Sequence, residues 1–192
     1  MIRVKRCENT SPGDDRLTYN HWRSADSACT VIAAIFNICL TYESIPEDWK
    51  TSTIVLIYKK GHPEDVTNWI PIVILRTIYK RYIGVLAKRT TQWLLNNKVL
   101  SPAQKGFLPY DGVFEHNYTL KRKLDKARTE KEEFLISWID FSNVFGSIPH
   151  DAIFSSLRQS GADKKFINVI KDIYLHPLFH QGAYRTRTYR QY

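Results

Sequence analysis

The chain has 192 residues, of which 43% are hydrophobic and 24% are charged, as is typical of one globular domain with a real core. Its three cysteines, Cys7, Cys29 and Cys39, form no Cys-x-x-Cys pair, which argues against a zinc site or a disulfide framework and favours a reducing compartment. A net charge of +9 favours a polyanionic partner, nucleic acid first. The alternative is that the excess of cations only keeps the protein soluble.

The longest apolar stretch, residues 28–40, is too short to span a bilayer and is interrupted by Asn37. The basic start of the chain is followed by polar residues 8–15 instead of an apolar signal core. We therefore expect an intracellular protein, nuclear or cytoplasmic, with no signal peptide, transmembrane segment or membrane partner. Residues 1–10 are interpreted as a ragged N-terminus.

The first predicted elements are a turn and a helix. Pro12 and Gly13 are typical of a turn, and residues 24–42 have the apolar periodicity of an amphipathic helix. Its predicted core positions are Ala28, Ile32, Ile35, Phe36 and Cys39.

A β-hairpin is predicted next, with one strand within residues 50–61 and its partner at residues 69–75. Lys59 and Lys60 lie at its tip, where positive charge could meet a phosphate. Paired lysines at a hairpin tip can equally serve only to solvate the loop, and both interpretations stay open.

Four more helices are predicted, at residues 76–97, 113–131, 152–159 and 166–174. The first two carry many cations, which could follow a nucleic-acid backbone or could simply face solvent. The glycine-containing loop at residues 101–112 connects these two helices.

The apolar run at residues 134–139 is short, aromatic and branched, and it predicts a buried strand that ends at Asp140. A carboxylate at the tip of a buried strand is costly unless it is paired or holds a cation. Asp140 is therefore a candidate cation ligand, although the bland alternative is that it only caps the strand. Phe145 follows five residues later, and a helix is expected to begin at His150 or Asp151.

The sequence Trp-Ile-Asp-Phe-Ser-Asn-Val-Phe-Gly-Ser-Ile-Pro-His at residues 138–150 resembles the first catalytic motif of reverse transcriptases of non-LTR (LINE-type) retrotransposons. It looks most like the site-specific, ribosomal-DNA-inserting elements of that group. The Lys-Lys-Gly of the hairpin and the Gln-x-Gly-Phe at residues 104–107 are similar to blocks of the same family. The resemblance runs in order from about residue 11 to residue 174.

The resemblance implies an α+β fold, namely a fragment of a right-hand polymerase that is helix-rich with a small antiparallel sheet. Fingers would occupy about residues 11–110, and the start of the palm about residues 111–175. Residues 176–192 show no further likeness and are interpreted as a divergent tail.

The resemblance also implies roles for individual residues. Asp140 would be the catalytic carboxylate and a Mg²⁺ ligand, the backbone carbonyl of Phe141 a further ligand near the nucleotide, and Phe145 the gate that excludes a 2′-hydroxyl. The implied nucleotide-binding residues are Phe141, Phe145, Lys59 and Lys60, and the residues of an implied template-binding or structural loop are Gln104, Gly106 and Phe107.

The implied parent activity is RNA-directed DNA synthesis on an RNA template and a DNA primer, with deoxynucleoside triphosphates and Mg²⁺. Two-metal catalysis needs several carboxylates from different strands. The family supplies the others from an aromatic-x-Asp-Asp hairpin, which these 192 residues are expected to stop short of. We therefore expect the chain alone to be inactive; the oligomeric state is left open.

Two substitutions depart from the family pattern. Ile70 replaces an arginine expected to hold the triphosphate, and an aliphatic side chain cannot donate a guanidinium's hydrogen bonds. Arg16 replaces a turn glycine, which is costly if that position needs a positive φ.

The alternatives to a polymerase fragment are a non-catalytic basic nucleic-acid-binding module and a degenerate remnant that does not fold stably, because half a palm leaves an open sheet edge.

Overall fold

The described part of the chain, residues 10–140, 147–175 and 178–180 of a computed structural model, is rich in helices and contains one small sheet. This confirms the predicted α+β class. The helices are α1 (Tyr19–Ala25), α2 (Thr30–Tyr42), α3 (Glu47–Lys50), α4 (Thr77–Asn96), α5 (Gly112–Glu130), α6 (His150–Gln159) and α7 (Lys164–Leu175). The strands are β1 (Thr51–Tyr58), β2 (Trp69–Leu75) and β3 (Leu178–His180).

The chain divides into two compact units. The first contains Met1–Lys88 together with His150–Tyr192, and the second contains Arg89–Pro149.

The sheet lies in the first unit and has the strand order β2-β1-β3. β1 and β2 form the predicted antiparallel hairpin, with Ser52 opposite Leu75 and Tyr58 opposite Trp69. β3 adds to β1 in parallel orientation. This short strand lies within residues 176–192, for which the sequence pattern predicts no helix or strand.

The core of the first unit is aromatic. Tyr82 of α4 is 1% exposed, and its ring centroid lies 4.9 Å from that of Phe36 on α2 and 5.7 Å from that of Trp49 on α3. Val169 of α7 is fully buried in the same cluster. The four helices therefore enclose one hydrophobic core, with α7 supplied from the far end of the sequence.

The predicted helix at residues 24–42 is wrong in its first part. The chain forms two helices, α1 and α2, bent by 107° to each other. The Asp26 carboxylate accepts hydrogen bonds from the amides of Thr30 and Ile32, both at 2.9 Å. These bonds cap the N-terminus of α2, so a new helix begins there. Ala28 consequently lies in the turn and is exposed, outside the core to which the periodicity assigned it.

The predicted buried strand at residues 134–139 is also wrong. These residues form neither helix nor strand, and Leu135, Trp138 and Ile139 are more than 80% exposed. A strand is stabilised by its ladder partners. Within the described residues of the second unit there is no other strand to provide them.

The remaining helix predictions are confirmed within a few residues by α4, α5, α6 and α7, and α6 begins at His150 as expected. Across the residues that the structure covers, no single helix has both the length and the apolar character needed to cross a membrane. Only α1 and α2 taken together, as a pair bent by 107°, reach that length and apolar character.

Candidate nucleic-acid interface

Exposed cations cluster on the second half of α5, in the second unit. They are Lys121, Arg122, Lys123, Lys126 and Arg128. The helix begins at its predicted place because the Asp111 carboxylate accepts a hydrogen bond from the Phe114 amide at 3.1 Å. Three acids lie on the same helix, and one of them, Glu130, pairs with Lys126 at 3.5 Å. Positive charge therefore exceeds negative charge on α5, as binding of a phosphate backbone requires.

An aromatic ladder on α5 was missed by the sequence analysis. Phe114, Tyr118 and Arg122 follow one another at intervals of four residues and contact each other in turn. The available signal was this spacing, because side chains four residues apart are neighbours on a helix surface. The cations of the helix alone do not indicate it.

The loop before α5 holds the predicted residues Gln104, Gly106 and Phe107. The Gln104 side chain donates a hydrogen bond from Nε2 to the Gly106 carbonyl at 3.1 Å, so these two residues are brought together within one turn. Phe107 has a φ of 60° and its ring is 92% exposed. The contact of Gln104 is one of structural support, and a contact with template stays a prediction.

Lys105 attaches this loop to α5. Its Nζ lies 2.5 Å from the Glu115 carboxylate and 5.4 Å from the centre of the Tyr110 ring. A Cβ on Gly112 would lie 2.6 Å from the Cβ of Lys105. Glycine is therefore required at the first position of α5 for the loop to approach so closely.

Asp140, the predicted catalytic carboxylate, is exposed at the end of the unpaired segment. Phe141 and Phe145 lie outside the described residues. Within the ranges covered by the structure, no three His, Cys, Asp or Glu side chains come together in a way that could hold a metal ion. These residues do not by themselves fit a two-metal site, which needs several converging carboxylates.

Lys59 and Lys60 lie in the first unit, exposed at the tip of the β1–β2 hairpin. The hairpin closes as predicted: the Lys59 amide donates to the Asn68 carbonyl at 2.9 Å, and Gly61 adopts a φ of 96°. Ile70 is half-exposed on β2, opposite Ile57. The hairpin therefore presents an aliphatic surface beside its two cations.

A turn near the start of the chain is held by Arg76, which the sequence analysis did not single out. The Arg76 guanidinium donates two hydrogen bonds to the Asp14 carboxylate, at 2.8 and 2.9 Å, and these bonds hold the pKa of Asp14 below its ordinary value. A Cβ on Gly13 would lie 2.8 Å from the Arg76 backbone. Arg16 has a φ of 57°, so this position does take the conformation that favours glycine.

A buried ion pair joins α3 to α7. Lys50, whose side chain is 3% exposed, lies 2.9 Å from Asp172 and 2.7 Å from Glu47. Burial opposes the ionisation of Asp172, but hydrogen bonds from the Ile45 amide and from Lys50 outweigh it and lower its pKa overall. Burial also opposes the charge on Lys50, whose pKa is nevertheless raised by Glu47 and Asp172. This pair is a structural element of the first unit.

Comparison with known proteins places the chain among relatives of one class. Its homologues are the Pol polyproteins and RNA-directed DNA polymerases of non-LTR retrotransposons, which confirms the resemblance drawn from the sequence motifs. No family model matches the chain.

Particular relatives include the "Retrovirus-related Pol polyprotein from type-1 retrotransposable element R2" of Nasonia vitripennis, which is 26% identical over 171 residues, or 89% of this chain. The polyprotein from element R2DM of Drosophila melanogaster is 26% identical over 86% of the chain. The "RNA-directed DNA polymerase from mobile element jockey" of the same fly is 24% identical over 88%. The chain spans only 16%, 15% and 19% of the length of these three relatives.

Proposed function

We propose that this chain is the part of a non-LTR retrotransposon RNA-directed DNA polymerase that forms the fingers and the start of the palm. The observation that carries the proposal is the match to the R2 Pol polyprotein over 89% of the chain. The order of the elements supports it: a basic hairpin, a long helix, a glycine-containing loop and a second basic helix precede Asp140. The finer division follows the sequence prediction, with fingers at about residues 11–110 and palm at about residues 111–175.

The role proposed for this part is to hold the RNA template and the DNA primer. The cations of α5 are exposed and outnumber its acids, and Lys59 and Lys60 are exposed at a hairpin tip. Lysine and arginine on such surfaces contact phosphates, and their release of counterions makes the affinity fall as salt rises. We assign Lys59 and Lys60 to the phosphates of the incoming nucleotide, and Gln104, Gly106 and Phe107 to the template side.

Asp140 is proposed as one carboxylate ligand of the polymerase's Mg²⁺ site, with Phe141 and Phe145 beside the incoming nucleotide. Because no three His, Cys, Asp or Glu side chains of the described residues come together in a metal-binding group, the remaining ligands would come from other segments of the polymerase. It follows that the chain alone does not extend a primer, since one carboxylate cannot hold two metal ions.

The first test measures binding and synthesis with the 192-residue chain and a labelled RNA template annealed to a DNA primer. We expect binding at low salt that weakens steeply between 50 and 200 mM, on the order of tenfold or more. Asp140→Asn should leave this binding unchanged, because the carboxylate is not a phosphate contact. Absence of binding at low salt, or an affinity independent of salt, contradicts the proposal.

The second test adds deoxynucleoside triphosphates and Mg²⁺ to the same complex. No primer extension is expected. Extension that Asp140→Asn abolishes would show that the chain holds a complete catalytic site, and it would overturn the inactivity proposed for it alone.

A non-catalytic nucleic-acid-binding module remains the second candidate, favoured by the exposed position of Asp140 and by its lying in no group of three metal-ligating side chains among the described residues. It predicts salt-dependent binding of RNA without any binding of deoxynucleoside triphosphates. A polymerase fragment should also bind a triphosphate weakly at the hairpin, and Lys59→Ala with Lys60→Ala should remove that binding while the affinity for RNA falls little. Equilibrium dialysis with labelled nucleotide separates the two candidates.

A further inference from the structure

Three planar groups form a column along the exposed side of α5, which we name the α5 ladder: Phe114, Tyr118 and Arg122. The two rings are 68% and 54% exposed, lie 11° from parallel and have centroids 6.4 Å apart. The Arg122 guanidinium carbon lies 6.0 Å from the centre of the Tyr118 ring, and Nη1 donates to the Tyr118 hydroxyl at 3.4 Å. The ladder is thus a continuous π surface that faces solvent.

The ladder is not the side that α5 buries. Ala127 is buried, and Leu120 and Leu124 are partly buried. At 100° per residue these three lie on roughly the opposite side of the helix from the ladder. The exposed rings are therefore a feature separate from the apolar stripe that packs the helix, and clustered exposed rings mark a contact surface.

Charge around the ladder indicates the chemistry of its partner. Lys121, Lys126 and Arg128 follow within three turns of Tyr118. The acids nearby are Asp125, which lies on the same side, Glu130, which pairs with Lys126 at 3.5 Å, and Glu115, which pairs with Lys105 at 2.5 Å. Rings interleaved with an excess of cations suit a polyanion that carries flat faces of its own.

We propose that the α5 ladder is a base-stacking site for single-stranded nucleic acid. Bases stack on Phe114 and Tyr118, and the phosphates between them lie near Arg122 and the flanking lysines. A duplex keeps its bases stacked on each other, so only an unpaired strand can use the ladder, and any base sequence can use it because every base has a π face. This inference rests on the proposed function and specifies which surface holds the unpaired strand.

The test uses fluorescence anisotropy with the whole chain and three labelled probes of one sequence: single-stranded RNA, single-stranded DNA and an RNA duplex. Phe114→Leu and Tyr118→Leu keep an apolar side chain and remove the ring. Each should weaken single-strand binding by roughly fivefold or more and leave duplex binding unchanged. The slope of affinity against salt should stay the same, because no charge is lost.

Two control variants are available. Tyr118→Phe keeps the ring and should keep the affinity of the parent chain. Tyr42→Leu removes an exposed tyrosine (77% exposed) from α2 of the first unit and should have no effect. All variants should melt at the same temperature as the parent chain, since these side chains are exposed.

Each outcome decides the proposal. Equal losses with RNA and DNA support a site for either strand, and a loss with only one of them supports the site and identifies its strand. If the parent chain binds single strands and both leucine variants bind them equally well, the ladder proposal is overturned while the proposed function stands. If the parent chain binds no nucleic acid, both are overturned. If the leucine variants abolish self-association in sedimentation velocity and leave RNA affinity unchanged, the ladder is a protein contact and the proposal fails.

Discussion

The two units of the chain bury their apolar side chains to very different extents. In the first unit Tyr82, Phe36 and Trp49 are at most 7% exposed. Among the described residues of the second unit only Ala127 is buried, while Phe107 and Trp138 are among the most exposed side chains. The first unit is therefore held by tertiary packing, and the second by local signals such as the Asp111 cap and the Lys105–Glu115 ion pair.

The largest expected effect tests this contrast directly. Tyr82→Ala should destabilise the first unit by about 4 kcal/mol, because a buried ring is lost and a cavity remains. Trp138→Ala in the second unit removes a larger side chain and should change the free energy of unfolding by less than about 0.5 kcal/mol. Urea unfolding monitored by circular dichroism measures both. Equal losses would mean that the Trp138 segment is packed in solution.

The buried ion pair should give the next largest effect. Asp172→Asn leaves Lys50 buried with only Glu47 as its anion, and should cost about 3 kcal/mol at pH 7. The exposed control Glu64→Gln should cost almost nothing.

The same pair predicts a pH dependence. The pKa of Asp172 is lower in the folded chain than its ordinary value, so its contribution is present above that ordinary value and is lost as the pH falls through the lowered one. The unfolding free energies of the parent chain and of Asp172→Asn should therefore begin to converge as the pH falls below about 4, and they should meet only below the lowered pKa of Asp172. A difference that stays constant down to pH 2 would exclude ionisation of Asp172 as the source.

At the hairpin of the first unit we expect a smaller effect on binding. Ile70→Arg restores a guanidinium on β2 beside Lys59 and Lys60, and should strengthen triphosphate binding by roughly tenfold, as a charge-assisted hydrogen bond to phosphate would. Ile72→Arg places the same charge at another half-exposed position of β2 and is the matched control. Equal gains from both variants would indicate general electrostatics rather than a position suited to the nucleotide.

Backbone strain provides the smallest effect and occurs in both units. Arg16 and Phe107 have φ values of 57° and 60°, and both side chains are exposed. Arg16→Gly and Phe107→Gly should each stabilise their unit by about 0.5–1 kcal/mol, reduced by the greater entropy of glycine when unfolded. Thermal melting of each variant measures the change in its stability. Destabilisation by Arg16→Gly would mean that the arginine side chain has contacts that outweigh the strain.

The sequence predicted those elements whose signals are local. The hairpin, α4 and α5 follow from turn residues, periodicity and the Asp111 cap, which act within a few residues. Two predictions failed for opposite reasons. The break at Asp26 is also local, but its cap lies inside an apolar periodic run that hid it. The segment at residues 134–139 has every local property of a strand, and pairing depends on a partner that local pattern cannot supply.

The candidate site was predictable to a similar degree. The motif around Asp140 identified the class of relatives, and the cations of α5 were evident from composition. The ladder could be predicted only once α5 was known to be a helix, because only helical spacing places residues 114, 118 and 122 in one line. The Arg76–Asp14 bridge joins residues 62 positions apart, and no sequence pattern indicates a contact of that separation.

The Lys50–Asp172 contact also has a consequence for synthesis of the chain, because it joins residues separated by 122 positions. A ribosome adding about 5–20 residues per second would take roughly 6 to 24 seconds to pass from one partner to the other. During that interval α2, α3 and α4 are made but lack α7, which supplies the buried Val169. Until α7 is made, the apolar side chains of the nascent first unit that pack against α7 stay exposed while the second unit is synthesised. A chaperone would therefore bind the nascent chain most readily during this interval.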